Sequence, residues 1–481
     1  MKRTISALAI AIGVALGPAW ALAGDQPVAR TETRQFREST RLLETWIQSV
    51  IDFDRLPGLS VAVIHDQDII YARGFGHSDI ASRREATPGT VYGICSMSKM
   101  FTALAVMQLR DAGKLNLDDP VSRHLPWFAP EGMDPDQPPT LRDLLRHTGG
   151  LPCEPDLELW DDPARLFPAR DDFIARAKRS TLSYPVNTRF NYSNMGYSLL
   201  GEVVAAVSGL PYADYVRRHL LDPIGMKDTM LSPSREQFGS RLASGYGRAP
   251  RRQGPRVALA DFPPGAFAPA GGYYSSALDM AEFAKWQFRV LDGEDEGILG
   301  RTTLEEMQAV QWPSPKWGVG FTLYWIGDLD LYGHQGGCSG FKSQFILCPE
   351  EKLAVVVLIN ATDAPQFPLA FVSYEIMSAA LKDAGEQPDE PNAWSRYAGA
   401  YTADRAWSEA EVLEWDGSLA VLWLPSQHPL QSLAILRHVE GGVFRQVGAD
   451  GTPGKHFVFG TDSAGNVGMK FNNNVLWRAS R

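Results

Sequence analysis

Metal-ligand spacings, phosphate-cradling loops and basic tracts are all missing from this chain of 481 residues. It contains no H-E-x-x-H, no zinc-type cysteine spacing and no G-x-x-x-x-G-K, so nothing in the pattern points to a metal, a nucleotide or any other cofactor. Positive charge is also short: 46 Lys and Arg stand against 56 Asp and Glu, a net charge of −10. An acidic surface of that kind repels nucleic acid and anionic lipid. Cysteine is scarce, with Cys95, Cys153, Cys338 and Cys348 alone. Four cysteines permit three complete pairings, which the sequence does not rank, and a chain of this length has no need of them to build a core. Cys95 and Cys338 read as small buried residues rather than reactive thiols.

A membrane-spanning run is absent as well. The apolar stretch Ala7 to Leu16 is cut by Gly17 and Pro18 before it reaches the roughly 20 residues that a span needs. Lys2 and Arg3 precede it and Ala21-Leu22-Ala23 follow, so residues 1–23 read as a secretory signal cleaved after Ala23. No cysteine follows that point to carry a lipid. Cleavage would remove two positive charges and no negative ones, taking the net charge to −12. The expected product is exported, periplasmic or secreted, with no stable membrane insertion; its oligomeric state is not legible.

What is present is ordinary globular composition, 44% hydrophobic and 21% charged, in a chain long enough for more than one folded unit. Residues 33–51 carry apolar positions at helical spacing, and LSVAVIHDQDIIYARGFG reads as a β-hairpin. A helix follows Gly93 and ends near Gly113, and residues 115–310 alternate Pro- and Gly-rich loops with helical stretches such as 197–207 and 277–291. Strand patterns return at 318–327, 330–337, 342–349 and 352–361, and a helix spans about 366–383. This order predicts an α+β fold, an α/β sandwich: one antiparallel sheet assembled from both ends of a domain and flanked by helices, with a large helical insertion. The polar segment GEQPDEPNA, 385–393, marks a linker between a larger domain at 24–384 and short β-prone segments at 394–481, which suit a small barrel or sandwich.

Three segments carry chemistry. In GICSMSKMF, Ser96 and Lys99 lie three apart at the start of a helix, so hydroxyl and amine share one face near the positive end of the helix dipole. Serine needs a base, and a desolvated, neutral Lys99 would supply one. A capping serine beside a solvated lysine fits the same spacing. A second S-x-x-K, Ser339 to Lys342, sits in a Gly-flanked turn before a strand, where that spacing sends the side chains to opposite faces. RFNYSNMGYSLLG places Tyr192 and Asn194 two apart, so both point the same way: a phenol to relay the serine proton and an amide to hold the lysine and a substrate amide, or a core tyrosine and a helix cap. In YGHQGGCSGF, His334 near a strand end is followed by Gly336 and Gly337, which let a backbone approach a ligand; the N–H groups of Gly337 and Ser96 would form an oxyanion hole with His334 beside the substrate. A structural histidine fits there too.

S-x-x-K, then Y-x-N, then H-x-G resembles the class C β-lactamase and penicillin-binding-protein superfamily of serine hydrolases. LLRHTGGLP (144–152) and PAGGYYSSALDMAEFAKW (269–286) add to the resemblance, which covers about residues 35–383. It implies Ser96 as acylated nucleophile, Lys99 and Tyr192 as proton-transfer pair, Asn194 as a positioning amide, and Gly337 completing the oxyanion hole. His334-Gln335-Gly336 departs from the Lys-Thr-Gly usual in β-lactamases and DD-carboxypeptidases, and neutral histidine anchors a carboxylate weakly. H-x-G is similar to the D-aminopeptidase and esterase-like branch, whose members add C-terminal β-barrels. The resemblance therefore implies an acyl-enzyme hydrolase for peptides containing D-residues, with an esterase or β-lactamase, or a penicillin-binding-like receptor with little turnover, as alternatives.

Overall fold

The computed structural model describes residues 31–479, except 32, 132, 156–166, 251–253, 261–262, 295–296, 383–392, 403–408 and 473. The expected signal segment, 1–23, and most of the expected linker, 385–393, fall outside the described residues. The first helix, α1 (Arg34–Asp54), is opened by the Thr33 side chain, which accepts from the Phe36 N–H, and closed by Arg55 in the left-handed conformation. It buries Phe36, Leu42, Leu43, Trp46 and Ile47, the apolar stripe its sequence spacing announces.

The hairpin β1 (Gly58–His65) and β2 (Asp68–Asp79) follows, then α2 (Ser98–Asp111), α3 (Asn194–Ser208) and α4 (Ala277–Asp292) in the insertion. Four strands come late: β3 (Thr322–Ile326), β4 (Leu329–Cys338), β5 (Phe341–Cys348) and β6 (Leu353–Ile359), with α5 (Gln366–Lys382) after them. β1 pairs with β6 in antiparallel register, Leu59 opposite Ile359, so the two ends of the domain close one sheet. That sheet has nine strands, in which β2-β1-β6-β5-β4-β3 form the centre and two-residue strands lie at the edges.

Both faces of the sheet are covered, which explains why β6, LAVVVLI, reads as an unbroken apolar run instead of an alternating one. Ala354, Val356 and Leu358 of β6 join one core with α2, α3 and α4; Leu353, Val355, Val357 and Ile359 join a second with α1 and α5. No helix among the described residues is long and apolar enough to cross a membrane.

The C-terminal strands, β7 (Gly399–Thr402) through β14 (Asn474–Arg478), close an eight-stranded antiparallel barrel. Tyr401, Val412, Val421, Leu436, Phe444, Phe457, Phe459 and Met469 fill it, as expected where eight strands leave an interior only side-chain wide. Leu413 and Leu422 point outward and join the core of α1 and α5, and the Trp46 indole donates to the Ser426 carbonyl at 2.8 Å. The barrel therefore sits on the side of the sheet opposite α2.

Candidate active site

Ser96 does not lie in α2 itself. It occupies a short 3-10 turn, Cys95–Met97, that runs straight into the helix at Ser98. The turn is fixed from several sides: Ile94 N–H donates to the Tyr273 carbonyl (3.0 Å), the Ser98 hydroxyl donates to the Cys95 carbonyl (2.6 Å), and Ser98 in turn accepts from Tyr273 N–H (3.0 Å). Cys95 has φ of 51°, the left-handed region that a residue with a Cβ adopts only when its surroundings hold it there. Cys95 and Cys338 are buried, as their sequence contexts suggest, and are joined in a disulfide; Cys153 and Cys348 remain thiols.

Lys99, fully buried, sits one turn on. Its Nζ donates to Asn194 Oδ1 and to the Ala270 carbonyl, each at 2.6 Å, and stands 3.4 Å from Ser96 Oγ. The same atom lies 4.7 Å from the centre of the Tyr192 ring and 5.5 Å from that of Tyr197. Burial pulls its pKa down to about 7, against which negative charge at Cys153 and Glu154 pulls upward. Burial also pushes the Cys153 thiol up to about 12, so near neutral pH Glu154 is the anion in question. A neutral amine has two N–H donors and one lone pair; the two short bonds use the donors, and the lone pair is left for Ser96.

Tyr192 and Asn194 project into this volume from the two sides of Ser193, which caps α3 by accepting from Gly196 N–H at 2.9 Å. The cap is thus Ser193, and Asn194 is freed for the site. The Tyr192 phenol interacts with the Ser96 hydroxyl, and burial raises its pKa far above the ordinary tyrosine value, so it keeps its proton at neutral pH.

Two residues to which sequence reasoning gave no role hold this loop. His147, inside the quoted LLRHTGGLP, accepts at Nδ1 from Ser193 N–H (3.0 Å), accepts at its carbonyl from Asn191 N–H (2.8 Å), and packs its ring 4.4 Å from that of Tyr192. Glu154 accepts from Asn194 Nδ2 at 2.6 Å, which orients the amide so that its oxygen meets Lys99. The histidine lay in a visible motif; Glu154 had no signal in sequence, since a lone acid after a proline-rich turn looks like any surface residue.

β4 forms the opposite wall. Tyr332, His334, Gly336 and Cys338 face α2, and Leu331, Gly333, Gln335 and Gly337 face the other way. The turn Gly327-Asp328 leaves Ile326 opposite Leu329, and in a two-residue hairpin that flanking pair exchanges both hydrogen bonds. Odd-numbered backbone groups of β4 therefore address β3. Because β3 pairs no further than Thr322 with Gly333, the N–H groups of Gln335 and Gly337 look out on an unpaired edge. A Cβ on Gly336 would lie 2.2 Å from the Ile94 carbonyl oxygen. Gly336 thus lets the strand approach the Ser96 turn, because the side on which a Cβ would stand is filled by protein.

His334 is buried against the Trp317 edge, ring centres 5.4 Å apart, and its Nδ1 meets the Gln335 carbonyl at 2.5 Å. That contact places the ring proton on Nδ1 and leaves Nε2 as an acceptor. Burial first, then the charge of Lys99, lowers its pKa to about 3, so it carries no charge near neutrality. The second S-x-x-K resolves as expected: Ser339 lies in the β4–β5 turn and Lys342 on β5 opposite Gly337.

A serine and a buried lysine stand together at the mouth of a helix, against a glycine-containing strand of a two-faced antiparallel sheet, in a fold of the α/β-sandwich type. The family model described as "Beta-lactamase" matches residues 43–371, and the chain belongs to that family. Among its relatives, the "Protein flp" of Staphylococcus aureus (strain MW2) is 26% identical over 68% of this chain; the alignment spans 64% of that protein. A "Putative D-alanyl-D-alanine carboxypeptidase" of Escherichia coli O157:H7 is 30% identical over 50% of this chain and 57% of its own. The solved structure of the octameric penicillin-binding protein homologue from Pyrococcus abyssi superposes with a TM-score of 0.60 at 25% identity, covering 91% of this chain and all of that one.

Proposed function

We propose that the protein hydrolyses an amide or ester through an acyl-enzyme on Ser96, with peptides containing D-residues as its substrates. The observation that carries the reading is the lysine: a buried Nζ whose two short hydrogen bonds use its donors, whose pKa lies near neutrality, and whose third neighbour is Ser96 Oγ.

Ser96 Oγ attacks the carbonyl carbon as its proton passes to Lys99 Nζ. The oxyanion accepts from the Ser96 and Gly337 N–H groups while Asn194 Oδ1 and the Ala270 carbonyl hold the new ammonium. On collapse, the C–N or C–O bond breaks and the leaving group takes a proton from the Tyr192 phenol, which regains one from Lys99. Water then attacks the ester and gives a proton to Lys99, which passes it to Ser96 Oγ as the acyl C–O bond breaks, releasing the acid and restoring free serine and neutral lysine. Tyr192 acts as relay and not as resting base, because burial holds its pKa high while that of Lys99 comes down to about 7.

A peptide laid against the open edge of β4 pairs with the backbone of Gln335 and Gly337. The D-residue preference is supported by the relative named for D-alanyl-D-alanine cleavage. Neutral His334 is a poor anchor for a carboxylate, so turnover of a chromogenic cephalosporin falls below that of D-aminoacyl anilides, with short-chain esters as the third substrate of the panel. Ser96→Ala lowers turnover of the best of these by roughly a thousandfold or more. Full activity in that variant overturns the reading. Export rests on the leader at residues 1–23: protein kept in the cytoplasm with the leader uncleaved argues against it, while exported protein that begins elsewhere than Gly24 argues only against cleavage after Ala23.

A further inference from the structure

The only disulfide among the described residues joins two positions 243 apart in sequence. Cys95 is the residue immediately before Ser96, and Cys338 the one immediately after Gly337. The two backbone N–H groups assigned to the oxyanion each lie one residue from a bridged cysteine, on segments that also meet at the close approach of Gly336 to the Ile94 carbonyl, beside which Ser343 of the neighbouring β5 donates its hydroxyl to that carbonyl at 2.8 Å.

The orientation of the Ser96 N–H depends on Cys95. Carbonyl and N–H of one trans peptide point in opposite directions. The Cys95 carbonyl is taken by the Ser98 hydroxyl at 2.6 Å, so the Ser96 N–H points away from the helix. That peptide keeps its attitude while Cys95 stays left-handed, at φ of 51°. The side chain that leaves this backbone is the one tied to β4. Cys95 is 0% exposed and Cys338 5%, which shields the bond from exchange with solvent thiols and fits a permanent brace. The other two cysteines are placed elsewhere: Cys348 belongs to the core on the opposite face of the sheet, and Cys153 lies 3.7 Å from Asn194 Nδ2.

We propose that the Cys95–Cys338 disulfide is a positioning element for catalysis, setting the separation and aim of the Ser96 and Gly337 N–H groups and thereby kcat. This rests on the acyl-enzyme reading above. A cross-link that served only to stabilise the fold would move the melting temperature and leave the transition state alone.

The experiment compares the full-length protein with the Cys95→Ala/Cys338→Ala variant, or Cys95→Val/Cys338→Val if the alanine pair does not fold. Alkylation of the denatured, unreduced wild type is expected to modify two thiols and, after reduction, four; four without reduction overturns the proposal. Fluorophosphonate labelling of wild-type Ser96 is the control for the underlying reading, and its absence removes the ground for both. With labelling present, the variant is expected to lose roughly ten- to a hundredfold in kcat with KM within about threefold, in line with a misplaced oxyanion donor. Affinity for an arylboronic acid, which presents a tetrahedral oxyanion, falls by the same factor. Leu413→Ala, far from the site, supplies a destabilised variant with intact kcat for comparison. Unchanged kcat and boronate affinity in the cysteine variant, with only a lower melting temperature, overturns the proposal.

Discussion

At the scale of single residues, the site turns on where protons rest. As the base of the proposed mechanism Lys99 must be neutral, and its pKa of about 7 then places the acid limb of kcat/KM there: activity is expected to rise as pH climbs through that value, where the ammonium loses its proton. Glu154 raises that pKa by its charge. Glu154→Gln therefore moves the acid limb to lower pH, and a pH–rate profile that stays put, or shifts upward, contradicts the assignment. His334 adds no inflection of its own between pH 5 and 8, because it is already neutral there; direct titration of its ring by NMR checks this. The Ser96–Lys99 pair, Tyr192 and Asn194 were legible in sequence because helix and strand periodicities fix which neighbours share a face. His147 and Glu154 were not, since each acts on a residue about 40 positions away and local spacing carries no trace of such a contact.

Among elements, the decisive contact is strand against turn. β4 reaches the Ser96 turn because position 336 has no side chain, and Gly336→Ala would drive a Cβ to 2.1 Å from Ser343 Oγ and 2.2 Å from the Ile94 carbonyl. Neither the carbonyl nor the bridged strand can retreat cheaply. The expected result is a fall of roughly 1–3 kcal/mol in stability together with loss of turnover, measured by denaturant unfolding and by kcat on the same preparation. The helical insertion supplies the other wall: α3 brings Asn194, and the short helix Ala268–Gly271 ahead of α4 brings the Ala270 carbonyl, so three segments distant in sequence meet at one amine.

For the whole molecule, the barrel's position separates stability from chemistry. It leans on α1 and α5 through Leu413, Leu422 and the Trp46–Ser426 bond, on the face of the sheet away from Ser96. Its interior is filled with side chains. Leu413→Ala, at 1% exposure, is expected to cost about 2–5 kcal/mol in denaturant unfolding while leaving KM unchanged. A change in KM without a change in stability would place the barrel in substrate binding after all. The barrel's existence was legible from short β-prone segments between turn residues, and its docking face was not, because outward apolar positions such as Leu413 look in sequence like ordinary barrel lining.

By itself the sequence determined the elements and their chemistry: an α+β order with a helical insertion, a late run of strands, and a serine, lysine, phenol and amide at spacings that local backbone geometry converts into shared faces. Tertiary structure alone decided which partners those groups have. Antiparallel pairing of β1 with β6 brings the two ends of the first domain into one sheet, burial sets which of Lys99 and Tyr192 gives up its proton near neutrality, and the fold joins Cys95 to Cys338 while leaving Cys153 and Cys348 as thiols, which is none of the three complete pairings that the sequence allowed. The division follows from range: periodicity and propensity act over a few residues, while desolvation and disulfide geometry depend on segments that meet only once the core has formed.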